Sequence, residues 1–209
     1  MRIAAKLTVP ERRFLGFCER VEEYADAVDS GIEVIGFTSG DFSLIDVIDA
    51  VVKRIDRARM VVATWTAAQA EMDHVFAFLD RGRVASSRWI VDRSFQNRQP
   101  ALCGRLREMF GDDAIRVQRV HCKFVLIEGD GKSALIRTSA NLNRNKRIEN
   151  INISTCPVLI DAYAALVSDI FGTQMPADGF EADANVTASF NSVIGRQKKV
   201  KTIKAPWHG

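Results

Sequence analysis

The chain has 209 residues, enough for one domain with a substantial core and a tail, and its 47% hydrophobic and 26% charged composition is that of a soluble globular protein. No apolar run approaches the roughly 18–20 residues of a membrane helix, and the opening MRIAAKLTVPERR holds none of signal-peptide length. Membrane insertion and secretion are therefore not expected, and a cytoplasmic location is. The formal charge of +3 is carried by the end of the chain, because five basic residues and no acidic ones lie from Asn185 onward, leaving a body of net −2.

Residues 12–28 read as a helix, with Phe14, Phe17, Val21, Tyr24 and Val28 near helical spacing and Ser30-Gly31 as its stop. A strand over 32–37 follows, then turn chemistry at Thr38-Ser39-Gly40-Asp41. Residues 43–56 form an amphipathic pattern, with Leu44, Val47, Ile48, Val51, Val52 and Ile55 on one stripe and Ser43 as N-cap. A strand is expected over 59–65, a helix over 67–80 ending near Gly82, and a short strand over 89–91. A helix over 98–110 accommodates Pro100 in its first turn and ends at Gly111-Asp112-Asp113.

The pattern then changes. Closely spaced strands are expected over 115–117, 121–127 and 134–138, the last two joined by a tight turn at Gly129-Asp130-Gly131. A strand over 151–155 and a helix over 159–171 complete it. The division is a domain over 1–176 and a basic tail over 177–209, with a short helix near 186–194. Strands alternating with helices predict an α/β fold with a mostly parallel sheet, and the hairpin predicts some antiparallel pairing. No internal repeat is visible.

The four cysteines, Cys18, Cys103, Cys122 and Cys156, are scattered without a C-x-x-C pair, so reduced thiols and no zinc site are expected. Only three histidines exist: His74, His121 and His208. His74 falls in an amphipathic helix and reads as a surface or core residue, while Trp65 and Trp89, at strand ends, read as packing residues.

The chemistry concentrates in VHCKFVLIEGDGKSALIRTSANLNRNKRIENINI, residues 120–153. On a strand, His121 and Lys123 point the same way and Cys122 points to the core. Ser139 and Asn141, two apart beyond the next strand, do likewise, and the hairpin brings the two pairs together, with Glu149 close behind. An imidazole can attack phosphorus and form a covalent intermediate. A lysine and an asparagine can stabilise charge on phosphoryl oxygens, and a carboxylate can hold an imidazole in one tautomer. No metal or other cofactor is required.

These residues resemble the signature of the phospholipase D-like (HKD) superfamily. His121-Cys122-Lys123 matches its H-x-K, Thr138-Ser139-Ala140-Asn141 matches its G-S-x-N, and Glu149 stands where the family places an acidic residue. The upstream runs IDAVVKRIDRARMVVATW and FAFLDRGRVASSRWIVDRSF resemble the family's lead-in, so the likeness covers roughly residues 43–171. Two positions depart: Glu128 replaces the family's aspartate, which is mainly structural, and Thr138 replaces a glycine. The resemblance implies a mixed, mostly parallel sheet flanked by helices on both faces. It also implies a phosphodiesterase whose nucleophile is His121, with Lys123, Asn141 and Ser139 holding the phosphoryl group and Glu149 orienting the imidazole. The family pairs two such motifs and this chain has one, so a homodimer with His121 from both subunits is implied.

Eight basic residues lie between 116 and 149 against three acidic ones. This suits a polyanionic substrate, with Arg119, Arg144, Lys146 and Arg147 as binding residues, and a solvated loop face is the alternative. DNA or RNA is the expected substrate, and the basic tail either adds affinity for it or is solubilising. A phospholipid hydrolase and a catalytically degenerate nucleic-acid-binding or assembly module are the other readings, since one fold hosts several activities.

Overall fold

The structure, a computed structural model, describes residues 11–176 apart from positions 56 and 145. The basic tail at 177–209 and its short helix lie outside the described residues.

The chain opens with a strand, β1 (Arg12–Phe17), where the spacing of aromatics predicted a helix. Gly16 adopts φ 65°, a conformation that interrupts a helix, and β1 pairs in parallel with β2 (Glu33–Thr38), with an irregularity between Phe14 and Phe17. The tertiary pairing overrides the local period. Helix α1 (Glu22–Ser30) begins only afterwards and ends at Gly31, whose φ of 73° suits a helix C-cap.

The alternating region matches its reading closely. Helix α2 (Leu44–Val52) is capped by Ser43, whose backbone N–H donates to Asp46 at 2.7 Å. Strand β3 (Ala58–Thr64) leads to α3 (Gln69–Asp80). Strand β4 (Val84–Asp92) is longer than its three expected residues, because exposed Ser86 and Arg88 alternate with buried positions and hide the run. A short helix α4 (Ser94–Arg98) precedes α5 (Pro100–Phe110), with Pro100 at its start. Then come β5 (Ile115–Gln118), β6 (Lys123–Glu128), β7 (Ser133–Thr138), β8 (Glu149–Ser154) and α6 (Pro157–Thr173).

All eight strands form one sheet in the order β1-β2-β8-β7-β6-β3-β4-β5. Pairs β1–β2, β3–β4 and β4–β5 are parallel, whereas β2–β8, β7–β8, β6–β7 and β3–β6 are antiparallel. The sheet is mixed, as expected, but four of its seven pairings are antiparallel, which corrects the expectation that it is mostly parallel. The links β6–β7 and β7–β8 are too short for a crossover, so these strands pair antiparallel, and they insert between β2 and β3.

Helices cover both faces, as expected. On one, Tyr24, Val47, Ile48, Phe78 and Leu106 pack with Val62, Val125 and Ile136 of the sheet. On the other, Ile160 and Val167 of α6 pack with Val61, Phe124, Leu126 and Leu135. Strand β6 is therefore buried on both sides, which explains its continuous apolar run. Each such buried aliphatic side chain contributes about 1.5–3 kcal/mol. This central, rigid strand is the one that delivers Lys123.

Candidate active site

Strands β3 and β4 end, β6 begins, β7 ends and β8 begins at a single edge of the sheet. Every residue of the motif gathers there except Glu128. That residue closes β6, paired with Ser133 at the opposite edge and half-buried.

His121 precedes β6 and is exposed, while Lys123 is buried at 8% exposure. Lys123 Nζ lies 3.4 Å from Nδ1 and 3.5 Å from Nε2 of His121, so the two side chains meet as their spacing predicted. Burial holds the Lys123 ammonium below its ordinary range, partly offset by the charge of Glu149 and by Cys122. Cys122 is exposed, contrary to the expectation that it faces the core. Because β6 starts at Lys123, strand alternation does not extend to it.

Lys123 pairs with Thr138 across the hairpin. The Thr138 hydroxyl donates to Asn150 O at 2.6 Å and accepts from the Ala140 N–H at 2.9 Å, so the residue in the family's glycine position fastens the turn to β8. Ser139 donates from its hydroxyl to Glu149 Oε2 and accepts from the Asn150 N–H at 3.1 Å. Glu149 thus engages Ser139, and among the described residues no hydrogen bond joins it to His121.

Asn141 is half-buried, and its Oδ1 is buried without a hydrogen-bond partner. An orphaned amide oxygen is costly, and an amide turned about its last bond presents its NH2 there instead as a double donor. The turn is pinned by Leu142, whose N–H donates to Thr64 Oγ1 at 3.4 Å and whose carbonyl accepts from Ala68 N at 2.8 Å.

His121, Lys123 and Ser139 line an open depression of about 430 Å³ together with Cys122, Arg137 and Tyr163. Arg137 is neutralised beneath it. Its Nη2 donates to Glu33 Oε1 at 2.5 Å and its Nε to Asn152 Oδ1 at 3.0 Å, while Arg12 Nε reaches Glu33 Oε2 at 2.6 Å. Burial of Glu33 opposes its ionisation, but the hydrogen bonds from Asn152 and Arg12 and the charges of Arg137 and Arg12 outweigh it and hold the carboxyl below its ordinary value.

The basic cluster divides. Arg119, Arg144, Lys146 and Arg147 are exposed. Arg116 is instead buried against α6, donating to Phe171 O at 3.4 Å and stacking on the Phe171 ring, and Lys132 pairs with Asp29 at 2.8 Å. A count along the sequence overstates the local excess because alternate edges of the sheet share the same stretch of chain.

Two residues near the site were not singled out for it. The Trp65 ring lies 6.0 Å from the imidazole, centroid to centroid, and Arg98 rests on Trp65 with Cζ 3.7 Å from the ring centre. Trp65 sits one residue past β3, and only the pairing of β3 with β6 brings it to His121. His74 is exposed on α3 against Phe78, and His208 lies outside the described residues.

No protein-family model matches the sequence, and no curated protein matches it. Among solved structures, the chain is similar to phosphatidylserine synthase from Haemophilus influenzae, with TM-score 0.50 and 12% identity over 80% of this chain and 46% of that one. It is also similar to Nuc, a phospholipase D family member from Salmonella typhimurium, with TM-score 0.48 and 13% identity over 67% of this chain and 93% of that one. NucT from Helicobacter pylori gives TM-score 0.49 and 14% identity over 69% and 99%. The likeness to the phosphatidylserine synthase is one of fold.

Proposed function

We propose that this chain, built on a phospholipase D-like fold, is a metal-independent phosphodiesterase that cleaves DNA or RNA through His121. The observation that carries this reading is the contact of the buried Lys123 ammonium with both ring nitrogens of an exposed histidine at the sheet edge. An unprotonated imidazole nitrogen attacks phosphorus, a P–N bond forms and the P–O bond to the leaving group breaks. The leaving oxygen takes a proton from the second histidine of the site. Water then attacks the phosphohistidine, giving its proton to that same histidine, and the P–N bond breaks. Lys123 and Asn141 stabilise the charge on the non-bridging oxygens, and Ser139 with Glu149 fixes the turn that presents Asn141.

His121 is the one histidine at this edge among the described residues, so the acid comes from His121 of a second copy in a homodimer. Arg119, Arg144, Lys146 and Arg147 supply a field that favours a polyanion. A lipid phosphodiester is the second reading, favoured by Ile148 and Phe17, which are 68% and 61% exposed near this edge.

Plasmid and single-strand cleavage in EDTA, wild type beside His121→Ala, tests the proposal. Cleavage by wild type and its loss by at least ~10³-fold in a folded, dimeric variant is expected. Persistent activity in the variant rejects the mechanism. Turnover of phosphatidyl vesicles without nucleic-acid cleavage moves the substrate to lipid, and binding without turnover of either leaves a binding module.

A further inference from the structure

Arg98 is fixed in place by three contacts. Its Nη2 donates to Trp65 O at 2.8 Å, its Nε donates to Ser94 Oγ at 3.2 Å, and its guanidinium lies on the Trp65 ring. Ser94 is itself held, because Asp92 accepts from its N–H at 2.9 Å and from its hydroxyl. The other oxygen of Asp92 accepts from Val120 N at 3.0 Å. One carboxylate thus ties the base of Arg98 to the segment that enters His121.

Arg98 is nevertheless exposed, and no carboxylate pairs with it among the described residues. Two of its five N–H groups are used, which leaves the remainder of the fork open. Packing alone would not require an unneutralised, thrice-anchored cation. Arginine's planar fork suits a phosphate, and a side chain already ordered loses little further freedom on binding one. The ring-to-ring distance of 6.0 Å and the stacking distance of 3.7 Å place the guanidinium carbon no farther than 9.7 Å from the imidazole centre. Phosphates recur every ~3.4 Å along the axis of one strand of a duplex, so this reach spans more than one such step and a strand can present a neighbouring phosphate to Arg98.

We propose that Arg98, seated on Trp65, is a second anion subsite that holds a phosphate neighbouring the scissile one, so that the preferred substrate is a nucleic-acid strand and not an isolated diester. The subsite rests on the phosphodiesterase reading only for its consequence in turnover; anion binding is separable. Arg98 is here a substrate-binding residue, and Trp65 positions it.

The experiment compares wild type, Arg98→Ala, Arg98→Lys and Trp65→Ala on a single-stranded oligonucleotide and on bis(p-nitrophenyl) phosphate. Arg98→Ala is expected to lower kcat/KM on the strand about tenfold, chiefly through KM, as for one lost charge-assisted contact. Turnover of the small diester stays within about twofold and serves as the folding control. Arg98→Lys recovers part of the loss, and Trp65→Ala behaves like Arg98→Ala. Equal losses on both substrates, or none on the strand, overturn the subsite.

Binding decides independently of turnover. With His121→Ala as background, adding Arg98→Ala is expected to reduce the salt dependence of oligonucleotide anisotropy by about 0.7 in log–log slope. An unchanged slope overturns the subsite. If wild type cleaves neither substrate, the phosphodiesterase reading fails while a reduced slope still establishes the anion site.

Discussion

At the edge where β6 turns into β7, basic residues meet acids. Lys132 reaches Asp29 at 2.8 Å, Arg54 reaches the same carboxylate at 3.0 Å, Lys53 pairs with Asp49 at 2.5 Å and Arg107 pairs with Asp112 at 2.6 Å. At the opposite edge, Arg98, Arg119, Arg144, Lys146 and Arg147 have no carboxylate partner among the described residues. Exposed pairs of the first kind stabilise a fold by only about 0–1 kcal/mol each, but they leave little field behind. The second edge keeps its field, at the expense of mutual repulsion that a bound polyanion would relieve. The same residue types are spent on folding at one edge and held ready at the other.

Two lysines sharpen this contrast most. Lys123→Ala is expected to lower kcat on any cleaved diester about 10²–10³-fold, the usual size for removing one preorganised charge-stabilising donor. Lys132→Ala, at the paired edge, should leave kcat/KM within about twofold and reduce unfolding free energy by no more than about 1 kcal/mol. Side-by-side kinetics and urea denaturation check both. A comparable loss of turnover from Lys132→Ala would break the comparison.

Charge reversal gives the next effect. Arg144→Glu with Arg147→Glu should weaken strand binding at low salt by at least about tenfold and flatten its salt dependence. Lys132→Glu should change neither, although it adds the same kind of charge elsewhere. Fluorescence anisotropy across a salt series reads all three.

The smallest effect is one of pH. Burial holds Lys123 below its ordinary 10.5, so its ammonium is lost on the alkaline side before that of an exposed lysine. Activity should therefore fall as pH rises through that depressed value, and Lys123→Arg should carry the limb to higher pH. Stability moves the other way. Between the depressed value and 10.5 the unfolded chain binds more protons at this site than the folded one, so this contribution to stability rises with pH. Lys123→Met should lack that rise in a series of thermal melts.

The hairpin that carries the motif was readable because its signals are local. Gly129-Asp130-Gly131 marks the turn, and the two-residue spacing of His121 and Lys123 marks side chains that meet, although β6 begins only at Lys123. Arg12–Phe17 was misread because Phe14, Phe17 and Val21 happen to fall at helical spacing, while the pairing that makes this segment a strand lies with β2. The extent of antiparallel pairing escaped notice for a similar reason, since nothing within β2 or β3 announces that β6, β7 and β8 will separate them. Trp65 looked like a packing residue because its significance depends on Arg98, 33 positions later. Cys122 was misplaced by extending strand alternation beyond β6, which begins at Lys123, and the basic cluster by assuming that neighbours in sequence share one environment.

The strand order also bears on how the chain assembles. Strands β2 and β3 are consecutive in the chain but are kept apart by β8, β7 and β6. A growing polypeptide therefore completes its parallel flanks, β1–β2 and β3–β4–β5, as two fragments with unsatisfied inner borders. Only when residue 154 has emerged can the three antiparallel strands close the gap. Such non-local closure slows folding, and until then the two borders are free to pair wrongly, within one chain or between chains. The segment that brings His121 is also the keystone, so a truncation before β8 would yield an aggregation-prone pair of half-sheets and not a smaller folded domain.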